Sequence, residues 1–317
     1  MRKVQLAGLE PKYTDWATAK VTEMGNITEI LVMEKPANGP PVKKLDKNSF
    51  YDLRTGEVME YTHGETRADS IESMRRTLAR IRALVNTNVT DAQNIRWVTL
   101  TYKENMTDTK KLYADFKKFW QRFLYWCETN GHEKPEYITV IEPQGRGAWH
   151  AHSFFIWPEK APFISNNKVL APMWGHGFTK IKAVDDCDNI GAYFSAYLGD
   201  IPLDDVKKLP REEKEKVLAC SELVEKSFTN AQELTKTKQF LKGGRLALYP
   251  AGMNIVRKTQ GIKEPTVEKM QYGEAKKKMS SAKLTFSRTY EIVADDGTVS
   301  NTLTKKYYNS NPKKNQE

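Results

Sequence analysis

Residues 137–157 read YITVIEPQGRGAWHAHSFFIW: two β-branched and aromatic runs on either side of the short breaker loop PQGRG. Runs of this kind are strand signals, and a loop this short joins antiparallel neighbours. The second run holds His150 and His152, two of five histidines in 317 residues. Side chains two apart on a strand leave the same face, so the imidazoles project together. Neutral imidazole is a common metal ligand. The plainer reading of His-x-His on a strand is a half-exposed pair with no ligand. Glu142 bears on the choice. If residues 143–147 close a plain hairpin, 142 faces 148, Val140 faces His150 and Ile138 faces His152. Glu142 then lies on the His face at its open end, and a slip of one residue would move it to the other side. Two imidazoles and one carboxylate form a mixed nitrogen and oxygen set. It suits Mn²⁺, Mg²⁺ at higher concentration, and Zn²⁺. No thiolate is near, which disfavours a structural zinc site.

Working outward, WVTLTY (97–102) is a strand with Trp97, Thr99 and Thr101 on one face. Thr107 or Asp108 caps a helix over 109–129, with Leu112, Phe116, Phe119, Trp120, Phe123 and Cys127 as its apolar stripe. GFTKIKAV (177–184) is a further strand, and Asp188 or Asn189 caps the helical stretch IGAYFSAYLGD. The order strand, helix, strand, strand, strand, helix predicts an α+β fold, an antiparallel sheet with helices packed on one face. Around it the elements are less regular. Residues 1–65 read as weakly structured or peripheral, with KPANGPPVKK (35–44) as linker. Residues 66–86 form a basic amphipathic helix, residues 202–240 are charged and helical, and 242–252 are a strand between breakers. Lys276, Lys277 and Lys278 make a basic run, 284–308 a hairpin turning at Asp296-Gly297, and NPKKNQE a frayed tail. The expected regions are 1–90 with the basic helix, a core domain 91–260, and a basic extension 261–317.

Fifty Lys and Arg against 40 Asp and Glu leave a net charge of +10. Such an excess suits a polyanionic partner, most simply nucleic acid, and equally serves solubility. No uncharged apolar run is long enough to span a bilayer, and the first residues lack a signal peptide's apolar core. The three cysteines, Cys127, Cys187 and Cys220, form neither a disulfide frame nor a metal spacing, which points to a reducing cytoplasm.

Tyr193 and Tyr197 stand one helical turn apart, with Ile190, Phe194 and Leu198 beside them. They are either core tyrosines with wet hydroxyls or nucleophiles. Tyrosine ionises near pH 10, so attack on a phosphate needs a nearby cation.

Taken together, WVTLTY, the strand WHAHSFF and a helical tyrosine pair resemble, in that order, the HUH endonuclease superfamily. The likeness is to rolling-circle replication initiators of plasmids, phages and related mobile elements. It covers roughly residues 95–200, and KGGRLALYPAGMNIVRKTQGI is similar to a downstream segment of some plasmid initiators. Two positions depart from the pattern: Ala151 stands where a bulky apolar residue is usual, and Ala196 where a Lys often follows the Tyr. The resemblance implies an RRM/ferredoxin-like core and a divalent ion, Mn²⁺ or Mg²⁺, on Glu142, His150 and His152. It implies single-stranded origin DNA as substrate, with Tyr193 forming a 5′-phosphotyrosine. The freed 3′-hydroxyl primes a host polymerase, with a helicase as further partner. Tyr197 is either a second nucleophile or a core residue. Thr99 and Thr101 either contact the DNA backbone or are plain strand residues, and Arg146 either contacts phosphate or faces solvent. His176, between glycines, reads as structural. A relaxase or a tyrosine transposase would share the site and differ in substrate. A non-catalytic DNA-binding module would need neither ion nor nucleophile, and a zinc hydrolase would not need Tyr193.

Overall fold

The computed structural model describes residues 2–6, 11–36, 42–53, 55–61, 71–144, 147–184, 189–229, 235–250, 253–294 and 296–312. The chain forms two compact units, Gly64–Glu264 and Met1–His63 with Pro265–Glu317.

The Gly64–Glu264 unit is built on a five-stranded antiparallel sheet. Its order is Thr179–Ala183, Ile95–Thr101 (the Thr strand), Trp149–Ile156 (the His strand), Glu136–Pro143 (the Glu strand) and Val256–Lys258. The Glu and His strands do form a hairpin, but two residues away from the expected register. Glu142 faces His150 and Val140 faces His152. The cause is the loop: Gln144 pairs with Ala148, its N–H donating to the Ala148 carbonyl at 2.8 Å. Gly147 closes the turn with φ +83°, donating its N–H to the Gln144 carbonyl at 2.9 Å. That left-handed conformation is cheap only without a Cβ. A shift of two keeps the parity, so Glu142 stays on the His face.

The α+β, antiparallel class is as read, but helices cover both faces. Trp97, Ile138 and Phe154 are buried on one face, and Val98, Leu100 and Phe155 on the other. Two apolar faces each need a cover. The helix Thr109–Thr129 starts at Asp108, whose carboxylate accepts the N–H groups of Lys110 and Lys111. It sets Phe123 4.9 Å from Phe155. The helix Ile190–Gly199 takes the opposite face, with Phe194 4.6 Å from Phe154 and 5.3 Å from Trp97. The basic helix runs Ile71–Asn88 and buries Ile81, Leu84 and Val85. It lies against Ile190–Gly199 at Gly191, where a Cβ would come within 2.5 Å of the Arg82 carbonyl oxygen.

Two further expectations give way. Within 202–240 the helices are Leu203–Val206 and Arg211–Cys220, and Glu222–Thr229 then pairs with Thr235–Lys242 as a hairpin. The alternation in TKTKQF is a period of two, which outweighs the charge that suggested helix. In 242–252 the chain makes a tight helical turn, Gly244–Leu248, rather than a strand. Gly243 (φ +74°) begins it, and a Cβ on Gly244 would sit 2.9 Å from Ile201.

Residues 1–65 are not weakly structured. In the Met1–His63 and Pro265–Glu317 unit, Thr18–Met24 and Ile27–Met33 join a six-stranded sheet. Its order is Arg2–Gln5, Lys283–Val293, Val299–Asn309, Ile27–Met33, Thr18–Met24, Thr266–Gln271, antiparallel throughout. Ala19, Val21, Ile30 and Val32 alternate onto one face, where Tyr272 and Ala275 of the helix Tyr272–Lys278 cover them. Val42–Lys44, Ser49–Asp52 and Val58–Glu60 make a small separate sheet. The hairpin at 284–308 is present and turns at Gly297 (φ +86°). The basic run is largely neutralised within this unit: Lys276 pairs with Asp15 at 2.6 Å, and Lys278 with Glu23 and Glu268. Asp188 and residues 313–317 lie outside the described residues. Among the described residues no helix is long and apolar enough to cross a membrane.

Candidate functional site

The three inner strands of the Gly64–Glu264 sheet carry the predicted ligands to one place. His150 faces Glu142 on one side and Thr101 on the other, and His152 faces Val140 and Thr99. Residues directly opposite share a face. Their donor atoms, two imidazole nitrogens and one carboxylate oxygen, lie within 4.8 Å of one another, a group that can hold a metal ion. Two donors on one ion at ~2.1 Å are at most ~4.2 Å apart, so a small side-chain movement closes the shell. His152 Nε2 meets the Glu142 Oε2 directly. A proton shared there occupies the place an ion would take. Thr99 Oγ1 stands 3.3 Å from His152 Nδ1. This hydroxyl is the second partner that fixes a ligating imidazole's ring orientation. Thr99 thus has a role at His152 itself.

Glu142 is only 3% exposed. Burial by itself pushes its carboxyl up, but His152, then Arg245, then His150 outweigh this and hold it below its ordinary value. Arg245 was not singled out in the sequence. Its guanidinium meets Glu142 Oε1, donates to the Pro143 carbonyl at 3.2 Å, and donates twice to the Asp200 carbonyl at 3.1 and 3.3 Å. One side chain thereby joins the Glu strand to the residue that follows the tyrosine helix. The signal available was a lone arginine in KGGRLALYPAG, an otherwise apolar run: a buried cation requires an anion.

The helix Ile190–Gly199 begins at Asn189, whose side-chain oxygen accepts the Ala192 N–H at 2.9 Å. Ile190, Phe194 and Leu198 are buried, while Tyr193 is 49% exposed. Tyr193 is therefore not a core tyrosine. Trp97 links it to the metal centre: its ring lies edge-on to Tyr193 at 6.2 Å and to His152 at 6.3 Å. Lys182 Nζ sits 4.3 Å over the same indole. Tyr197 is on this helix one turn on, its side chain outside the described residues, as is the whole of Arg146. His176 is structural: it sits 3.6 Å from Asp115, which accepts the Tyr102 hydroxyl at 3.0 Å.

Residues 95–201 match the model of a family described as replication-associated protein ORF2. The match runs from the start of the Thr strand to just past the tyrosine helix, and it includes all three ligands and both tyrosines. It supports a replication initiator. No curated protein and no solved structure matches the chain.

Proposed function

We propose that the Gly64–Glu264 unit is a divalent-ion-dependent nuclease that cuts and rejoins one DNA strand at a replication origin in rolling-circle replication. The observation that carries this is the placement of Glu142, His150 and His152 as a trio on the sheet face to which the Tyr193 helix is packed. Glu142, His150 and His152 would hold the ion, Mn²⁺ or Mg²⁺, and a bound ion would polarise the scissile phosphate. The Tyr193 oxygen attacks phosphorus and loses its proton. The bond to the 3′-oxygen breaks, and that oxygen takes up a proton. The strand then carries a 5′-phosphotyrosine, which stores the bond for rejoining, and a 3′-hydroxyl that a host polymerase extends beside a helicase. Thr99 orients His152, Arg245 keeps Glu142 ionised, and Trp97 positions the Tyr193 ring. The exposed Tyr193 favours this reading over a purely binding module, which has no use for a nucleophile beside a ligand trio. A relaxase or transposase would share the chemistry and differ in the strand it cuts.

The test is incubation of the full chain with labelled single-stranded origin DNA, with and without Mn²⁺, followed by denaturing electrophoresis. An ion-dependent protein–DNA adduct that Tyr193→Phe abolishes is the expected result, and Tyr197→Phe separates one-tyrosine from two-tyrosine action. DNA binding without any adduct, unaltered by His150→Ala, refutes the proposal.

A further inference from the structure

The six-stranded sheet of the Met1–His63 and Pro265–Glu317 unit has a second face, opposite the helix Tyr272–Lys278. On it the register aligns one row across five strands: Lys269, Lys20, Leu31, Lys305, Arg288. Lys269 stands directly opposite Lys20, and Lys305 directly opposite Arg288. Like charges in this relation cost stability. Lys20 and Lys269 are exposed and, among the described residues, make no ion pair. Glu29 is the acid that the described strand residues bring to this face, and it is taken up by Lys305 at 2.8 Å and by the Tyr307 hydroxyl. Beside the row stands Phe286, 37% exposed, edge-on to Tyr307 at 5.7 Å and with Arg288 5.0 Å over its ring. Tyr290 lies on the other flank, opposite Leu303.

The geometry points to a second nucleic-acid surface, one that holds single-stranded DNA along this row, apart from the nuclease site. Charge complementarity selects the occupant: a repulsive line of four cations is relieved by a polyanion laid across it. Neighbouring strands are ~4.8 Å apart, so the row is ~19 Å long, the length of about five to six phosphates of one strand at ~3.4 Å each. The flanking rings select a strand with accessible bases, because surfaces for single strands pair a basic track with aromatic platforms. Sequence-independent grip on the displaced strand is the result.

The experiment uses the full chain carrying Tyr193→Phe, in EDTA, so that neither cutting nor ion binding contributes. Anisotropy of a labelled thymidine oligomer of about 20 nucleotides is followed from about 50 to about 200 mM salt. Lys20→Glu with Lys269→Glu should weaken binding about tenfold or more and flatten the log–log salt slope by about 1.4, two phosphates at ~0.7 each. Phe286→Ala should weaken it about fivefold, the low end for a stacked base. Lys117→Glu with Lys118→Glu, the same charge change on the exposed face of the Thr109–Thr129 helix, should stay within about twofold. Unchanged affinity and slope in the Lys20 and Lys269 variant overturn the proposal, as does an equal loss in the Lys117 and Lys118 control. A duplex that depends on Lys20 and Lys269 more than the oligomer does overturns the single-strand assignment.

Discussion

Replacing Arg245 with Met deletes a cation and keeps most of its volume. The Arg245 side chain is 11% exposed and that of Glu142 4%, so no solvent shell is at hand to take over the freed carboxylate. Removing one partner of a buried pair costs about 3–5 kcal/mol, because the other charge stays behind. The lost hydrogen bonds to Pro143 and Asp200 belong to the same change. In a unit the size of Gly64–Glu264, 1 kcal/mol moves the melting midpoint by roughly 2–4 °C, so the expected fall is about 6–20 °C. Calorimetry in EDTA measures it. Mn²⁺ at about 100 times its Kd should return about 2.7 kcal/mol to any variant that retains the ligand trio. Arg245→Met with Glu142→Gln, which leaves no uncompensated charge, should recover much of the loss in EDTA and should not respond to Mn²⁺. A single variant within about 1 kcal/mol of wild type, or a double variant no better than the single, would refute the account of Arg245 as the counter-charge that holds Glu142.

Two further outcomes follow from groups already placed. The Glu142 carboxyl, ordinarily near 4.5, is held lower in the fold by His152, Arg245 and His150 against the opposing effect of burial. A depressed carboxylate contributes stability that is present above its ordinary value and lost as pH falls through its folded one, so urea midpoints of the wild type should drop more steeply from about pH 5 downward than those of Glu142→Gln; parallel slopes would count against it. Lys20→Glu alone converts a like-charge pair with Lys269 into an opposite one and should raise stability by about 0.2–1 kcal/mol, and a fall instead would mean that its stem matters more than its charge.

Much of the site was legible because strand parity is robust. The shared face of Glu142, His150, His152, Thr99 and Thr101 follows from a period of two, and it survives a register error of two residues. The register itself was not legible, since PQGRG is compatible with more than one loop length and the choice rests on Gly147 adopting a left-handed conformation. Tyr193 and Phe194 are adjacent, and helical spacing alone does not say which meets the sheet. That is decided by Trp97 and Phe154, residues far off in sequence. Arg245 was hidden for a related reason. Its importance lies in a partner more than a hundred residues upstream, and no local periodicity records that. The hairpin Glu222–Thr229 with Thr235–Lys242 was masked by its charge, because both of its strands carry lysines.

The pairing of Ile27–Met33 with Val299–Asn309 sets a schedule for synthesis. Met33 leaves the ribosome about 270 residues before Leu303, its partner. At about 5–20 residues per second the nascent strand waits roughly a quarter of a minute to a minute. Through that interval Thr18–Met24 and Ile27–Met33 are limited to a hairpin with an apolar, unpaired edge, the kind of edge on which strands of other chains add. The nuclease unit lies wholly between the two halves, so it is translated, and free to fold, before the sheet built from the chain's ends has all its strands.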